Sequence, residues 1–111
     1  MKSFTVSLKH DECKAIHEII SSDIDELVLE DNIRTAYNEI LSGIVFNSIR
    51  NNNYIQFVLE DDKTAMEIVQ MFLVYAERCA SVEGFSTRAS ALYRFATQML
   101  VPFTNKTEED F

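Results

Sequence analysis

Glycine and cysteine are scarce in this chain, and their scarcity removes several kinds of site. The 111 residues include two glycines, Gly43 and Gly84, and contain neither a P-loop nor a GxGxxG sequence. Both of those phosphate-binding loops need glycines at fixed spacing, so the sequence excludes them. The two cysteines, Cys13 and Cys79, have the spacing of neither a disulfide framework nor a zinc motif. We therefore expect two free thiols in a reducing compartment.

Long apolar runs and positive charge are also missing. The longest uninterrupted apolar segment, residues 71–76, is far shorter than the roughly 20 residues that span a bilayer. After Met1 and Lys2 the chain alternates instead of forming the apolar core of a secretion signal, so we expect a cytoplasmic protein without a membrane partner. The net charge of −8 would repel phosphates, which argues against direct nucleic-acid binding.

Carboxylates are what the chain has in excess, and they are concentrated in two segments. Residues 10–32 contain eight carboxylates but only one lysine, Lys14, and no arginine. Glu60, Asp61 and Asp62 form the second cluster. The first segment contains Asp11, Glu12, Glu18, Asp23, Asp25, Glu26, Glu30 and Asp31. From the two segments we predict a partner-binding face made of Asp23, Asp25, Glu26, Glu30, Asp31, Glu60, Asp61 and Asp62.

The apolar periodicity changes from two to 3.6 residues within segment 53–80, and this segment organises the predicted fold. Ile55, Phe57 and Leu59 alternate with more exposed positions, as in a half-buried strand. Asp61 and Asp62 can then cap a helix and sit at its positive end. That helix, about 62–80, is apolar nearly all round, so we expect other elements to cover it on several sides.

The remaining periodicities give the order β-α-α-β-α-α. They predict a strand over 4–8, helices over 10–21, 31–50 and 87–101, and a connecting segment over 22–31 that is either a helical turn or extended. The triplet 51–53 ends the second of these helices, Ser86 caps the last, and Pro102 stops it. We predict one helix-dominated α+β domain over 1–103, with two paired strands beside four helices that pack around the helix at 62–80, and a flexible acidic tail over 104–111.

The last four residues, Glu108, Glu109, Asp110 and Phe111, resemble the C-terminal tip of some single-strand-binding proteins. That resemblance implies a short peptide that docks into basic pockets on partner enzymes. It covers four residues only, and the acidic body of the chain is unlike such a protein.

His10, Cys13 and His17 are the most metal-like set, because their spacing on a helix brings them toward one face. They are weak candidates for a metal site. His10 falls at the helix start, Cys13 belongs to the apolar stripe, and no fourth ligand is evident. The acids that end the second strand also resemble magnesium-binding carboxylates, but capping and solubility account for them. We predict no metal and no cofactor.

The leading functional hypothesis is an acidic binding or inhibitor protein, of the kind represented by immunity, antitoxin and phage-encoded inhibitor proteins. A dense face of carboxylates would dock on the basic surface of a partner, such as a nuclease or toxin. Two alternatives stay open. One is a small homo-oligomeric accessory subunit, because two short strands leave exposed edges and favour a symmetric homodimer. The other is a small enzyme that uses Glu60, Asp61 and Asp62 or the histidine and cysteine set.

Purified protein should therefore contain no stoichiometric zinc when no chelator is used. The reason is the incomplete ligand set, since structural zinc sites use four protein ligands. Elemental analysis measures this directly. One equivalent of zinc that disappears in a Cys13→Ala variant would establish the metal site instead.

Overall fold

The order of the secondary-structure elements is the predicted one. The computed structural model describes residues 1–50 and 54–104, except for the side chains of 48–50. Its elements are β1 (Lys2–Ser7), α1 (His10–Glu26), α2 (Asp31–Arg50), β2 (Tyr54–Leu59), α3 (Asp62–Ala80) and α4 (Ser86–Met99), followed by a helical turn at 101–104. The helix-dominated α+β class is thereby confirmed. The predicted stop at 51–53 and the tail residues 105–111 lie outside the described residues.

The boundaries of β1 and α4 differ by one or two residues from the predicted 4–8 and 87–101, and Pro102, expected to stop the last helix, lies inside the helical turn at 101–104. Two further differences concern the end of α1 and the cap of α4. α1 runs to Glu26, five residues beyond the predicted end at residue 21. For segment 22–31 the sequence predicts either a helical turn or an extended piece; its first part continues α1, and Ile24 there is partly buried against the core. The second difference is the cap of α4, which is Phe85 and not Ser86. The ring of Phe85 contacts Arg88, whose guanidinium carbon lies 5.4 Å from the ring centroid.

The two strands form one antiparallel sheet with a single buried face. Phe4 lies opposite Phe57, and their stacked rings have centroids 5.3 Å apart. Every second residue of each strand is buried, as the alternation predicted, because the sheet packs against helices on one side only. The opposite face of the sheet is exposed to solvent.

A helix closes the outer edge of β2. At Gly43 of α2, a Cβ atom would lie only 2.7 Å from the carbonyl oxygen of Gln56. Glycine at this position lets the helix backbone approach the strand backbone, which explains a residue that otherwise weakens a helix. α2 therefore protects the β2 edge.

A continuous series of aromatic rings crosses the core. Starting at the C-terminal helical turn, it runs through Phe103, Phe4, Phe57, Phe95, Phe72 and Tyr37. Successive centroids lie 5.3 to 6.4 Å apart, within the range of favourable aromatic pairs. The series connects the turn at 101–104, both strands, α4, α3 and α2.

α3 and α4 share the centre of this core. α4 contacts α1, α3 and β1, whereas α3 packs mainly on α4 and exposes Val74. The stripe of α3 that is fully buried includes Ile68, Phe72 and Ala76, and Leu73 is half-buried. The helix predicted to be covered nearly all round is thus buried along one face and partly covered beside it.

Replacing Phe72 with Ala should lower the free energy of unfolding by about 3–5 kcal/mol, because Phe72 is fully buried and contacts two other rings. Val74→Ala on the same helix is the matched control. Its side chain is 46% exposed, so we expect a change within about 0.5 kcal/mol. Urea unfolding measures both values. Equal losses at the two positions would contradict the packing described for α3.

Candidate functional site

Two acidic parts of the chain meet at one surface cleft of about 480 Å³. One wall is the first half of α2, and the other is the end of β2 with the start of α3. The cleft is lined by Met1, Asp31, Asn32, Thr35, Ala36, Glu39, Val58, Leu59, Glu60, Asp61 and Thr64. This lining, which we call the acidic cleft, has four carboxylates and no Lys or Arg side chain. Its apolar part suits an aliphatic stem, and its carboxylates suit a cationic head.

A chain of hydrogen bonds fixes the two walls of the acidic cleft. The Asn32 side-chain amide donates to the Thr64 hydroxyl at 3.0 Å, and that hydroxyl donates to Asp61 at 3.2 Å. The other carboxylate oxygen of Asp61 accepts from the Lys63 backbone N–H at 3.0 Å. Asp61 is therefore the N-cap of α3, as predicted, and holds α3 against α2 through the buried Thr64.

The predicted face divides into three groups. Asp31, Glu60 and Asp61 line the acidic cleft. Asp25 and Glu26, in the last turn of α1, and Glu30, just before α2, are exposed, and their side chains make no hydrogen bond or ion pair within residues 1–50 and 54–104. The other two predicted residues, Asp23 and Asp62, have partners inside the protein. Asp62 lies 3.5 Å from the Lys2 ammonium in an exposed pair that contributes little to stability.

Asp23 joins three helices and is a structural residue. It accepts a hydrogen bond from the buried Tyr37 hydroxyl of α2 at 2.9 Å, and its charge also acts on the Tyr75 hydroxyl of α3. Burial and then the Asp23 charge raise the pKa of Tyr37 far above its usual value, and the same causes raise the pKa of Tyr75. Since its carboxylate is committed to these hydroxyls, Asp23 is a poor docking residue.

Glu12 also holds the fold together, although nothing in the sequence pattern indicated that it is buried. Its side chain is 3% exposed. One oxygen accepts from the Lys9 backbone N–H at 3.0 Å, and the other accepts from the Ser90 hydroxyl at 2.9 Å and lies 3.3 Å from Arg94 Nε. A buried carboxylate needs such partners. Glu12 thus caps α1 and attaches it to α4.

Glu39 is the functional candidate that sequence reasoning missed. It lines the acidic cleft from α2, eight residues after Asp31, and Thr35 lies between them at the same spacing. This i, i+4, i+8 pattern places the three on one helix face. That pattern was available in the sequence, but its relevance depends on the end of β2 lying opposite, which periodicity does not reveal.

The candidate metal and enzyme residues do not assemble into a recognisable site. Within the described parts of the chain, no group of three or more His, Cys, Asp or Glu side chains could hold a metal ion. His10 and His17 are exposed, and Cys13 is half-buried. Burial, followed by the charges of Glu12 and Asp11, raises the pKa of the Cys13 thiol, which keeps it protonated and unreactive. Both oxygens of Asp61 are occupied by capping bonds.

Fold and site together define a helix-rich α+β protein with a carboxylate-lined cleft beside a two-stranded sheet. Comparison with protein-family models, with curated proteins and with solved structures finds no match for this chain. Across residues 1–50 and 54–104, no helix combines the length and apolar character needed to cross a bilayer. The acidic tip at 108–111, which resembles a docking peptide, lies beyond the described residues.

Stability should fall more steeply above pH ~10 in the wild type than in Tyr37→Phe. In the unfolded chain a tyrosine loses its proton near its ordinary pKa of 10.0, whereas Tyr37 keeps its proton in the fold. The folded state therefore binds more protons in this window, and raising the pH favours unfolding. Below this pH window, Tyr37 is protonated in both states and contributes no pH dependence to the free energy of unfolding. The extra slope should reach at most about 1.4 kcal/mol per pH unit.

Urea unfolding between pH ~9 and ~11.5 measures this slope. Tyr37→Phe keeps the ring in the core and removes only the hydroxyl, so it isolates the tyrosine proton from other groups that titrate at alkaline pH. Parallel curves for the two proteins would show that Tyr37 ionises as easily in the fold as in the unfolded chain.

Proposed function

We propose that this protein is an acidic binding protein that docks its carboxylates on the basic surface of a partner enzyme in the cytoplasm. A nuclease or toxin is the class of partner that suits it best, since such enzymes hold anionic substrates in basic clefts. The observation that carries the proposal is the acidic cleft, where carboxylates from α2 and from the β2–α3 junction line one cavity without a lysine or arginine.

The distribution of charge supports the same proposal. Residues 1–10, 40–59 and 84–104 contain no Asp or Glu, so the carboxylates of the described chain fall within 11–39 and 60–83. The side chains of Asp25, Glu26, Glu30, Asp31, Glu39 and Glu60 make no ion pair within the described residues. Unpaired charges of one sign attract a basic partner over a longer range than neutralised pairs do.

The acidic cleft and the acids at the end of α1 and just before α2 would act at different stages of binding. Exposed Asp25, Glu26 and Glu30 add to the field that steers the partner during its approach. The acidic cleft then accepts a lysine or arginine side chain, with its methylenes against Val58 and Leu59 and its charge among the carboxylates. Blocking a basic cleft in this way would exclude phosphate substrates from the partner.

Reversing Glu39 and Glu60 to Lys should slow association with the partner by about tenfold or more and leave folding intact. Both side chains are exposed and neither makes a bond that the fold needs. A partner is first isolated from host extract at low and at high salt, identified, and purified. Stopped-flow or surface-binding kinetics then give the association rate, which for the wild type should fall as salt exceeds ~0.1 M.

The matched control is a double reversal of Glu77 and Glu83, which changes the net charge equally. Glu77 lies near the far end of α3, about 22 Å along the helix axis from Asp62, and Glu83 lies in the turn that follows α3. If both double variants slow association equally, net charge alone explains capture and the acidic cleft has no special role. If neither does, the carboxylates are only a solvated surface.

A further inference from the structure

The outer edge of β1 is blocked at one end by a glutamine side chain. The Ser7 backbone N–H donates to Gln98 Oε1 at 2.8 Å, and Gln98 Nε2 donates to the Ser7 carbonyl oxygen at 2.8 Å. Gln98 thus takes both main-chain groups of Ser7, as a neighbouring strand would. This arrangement protects one position of an exposed strand edge.

The same bonds determine which other groups of β1 face outward. In an antiparallel pair, the N–H and C=O groups of successive residues point alternately toward the partner strand and away from it. Because those of Ser7 point away from β2, those of Thr5 and Ser3 do so too. Gln56 lies opposite Thr5, and its carbonyl faces α2 at Gly43, away from β1, which is independent support for this alternation.

Ser3 and Thr5 therefore form an open segment of strand edge. Both residues are exposed. Within residues 1–50 and 54–104, no side chain bonds their outward N–H and C=O groups as Gln98 bonds those of Ser7. The edge of β2 is closed by α2, so β1 provides the open edge of this sheet.

We propose that a second copy of this chain pairs with β1 at this edge, antiparallel and centred on Phe4, to make a four-stranded sheet. With Phe4 opposite Phe4, Ser3 of each copy lies opposite Thr5 of the other, and all the outward groups of both residues pair. A register with Thr5 opposite Thr5 would pair Ser3 of each copy with Ser7 of the other. The outward main-chain groups of Ser7 are already bonded to Gln98. The two-fold register centred on Phe4 uses the free groups and leaves the Gln98 bonds intact.

The charges favour a second copy over other occupants. Residues 1–10 contain no carboxylate, and Asp62, which lies beside β1, is paired with the Lys2 ammonium at 3.5 Å, so two acidic molecules can approach at this edge with little opposing charge. In this register, the C-terminal end of β1 in one copy, which leads to Lys9, lies beside the N-terminal end of β1 in the other copy, which begins at Lys2. Within that other copy, Lys2 is paired with Leu59 of β2, and the chain continues from Leu59 to Glu60 and Asp62. Lys9 of one copy is thereby brought toward the second acidic cluster of the other.

The test compares the wild type with Thr5→Pro and Thr5→Val by sedimentation equilibrium up to high micromolar concentration. Proline removes the outward N–H of Thr5, which β2 does not use, whereas valine keeps that N–H and the strand propensity. We expect wild type and Thr5→Val to dimerise and Thr5→Pro to be monomeric. Circular dichroism melts show whether each variant folds.

Hydrogen exchange of the wild type gives a second measurement that does not depend on any variant folding. The Ser3 and Thr5 amides should exchange at least about tenfold more slowly at high than at low concentration. A monomeric wild type at all concentrations, or a dimer that Thr5→Pro leaves intact, would overturn the proposal. So would protection of these amides that appears only when another protein is added, since the edge would then belong to that partner. The proposal would also fail if the Ser3 and Thr5 amides were protected equally at all concentrations and lost this protection in a chain that ends at Thr104. The edge would then belong to the chain's own last residues.

Discussion

The contact on which the rest of this structure depends is the series of aromatic rings that begins at Phe103 and ends at Tyr37. It passes through both strands, α4, α3 and α2, and the Tyr37 hydroxyl then donates to Asp23 of α1, so every element of the fold is attached to it. Rings contribute more buried area per residue than aliphatic side chains and pack in few orientations. A chain of 111 residues that lacks disulfides can in this way fix six elements around one small core.

The need to complete that core decides which carboxylates are left for function. Glu12 and Asp23 lie where helices meet, and both are committed to hydrogen bonds that a buried or half-buried charge requires. Asp61 is committed to the start of α3 but still lines the acidic cleft. Among the described acids without internal partners, Asp25, Glu26 and Glu30 lie at the end of α1 and just before α2, and Asp31, Glu39 and Glu60 lie around the acidic cleft, whereas Glu67, Glu77 and Glu83 lie elsewhere. Counting charges along the sequence overestimates a docking face, because it does not separate structural carboxylates from free ones.

The sequence predicted the secondary-structure elements well, because each has a clean apolar period. Ile55, Phe57 and Leu59 are buried as the alternation indicated, and Asp61 caps α3. Two predictions failed: α1 continues to Glu26, with Ile24 partly buried against the core, and Phe85, whose ring contacts Arg88 three residues later, takes the cap position expected for Ser86. Neither the burial of Glu12 nor the position of Glu39 opposite Glu60 could be derived, since each depends on which helices become neighbours.

The two proposed surfaces lie on different strands of a sheet that is two strands wide. The acidic cleft is formed mainly by α2 and the end of β2 and includes Met1, whereas the open edge belongs to β1. Pairing of two β1 strands would leave the α2 wall of each cleft, with Asp31 and Glu39, uncovered, while Lys9 of the other copy would approach the cleft at Glu60. A dimer with two such clefts would bind a partner that is itself dimeric with increased avidity, because the second contact forms at a high effective concentration. Oligomeric state would then change the affinity of the acidic face without altering any residue within it.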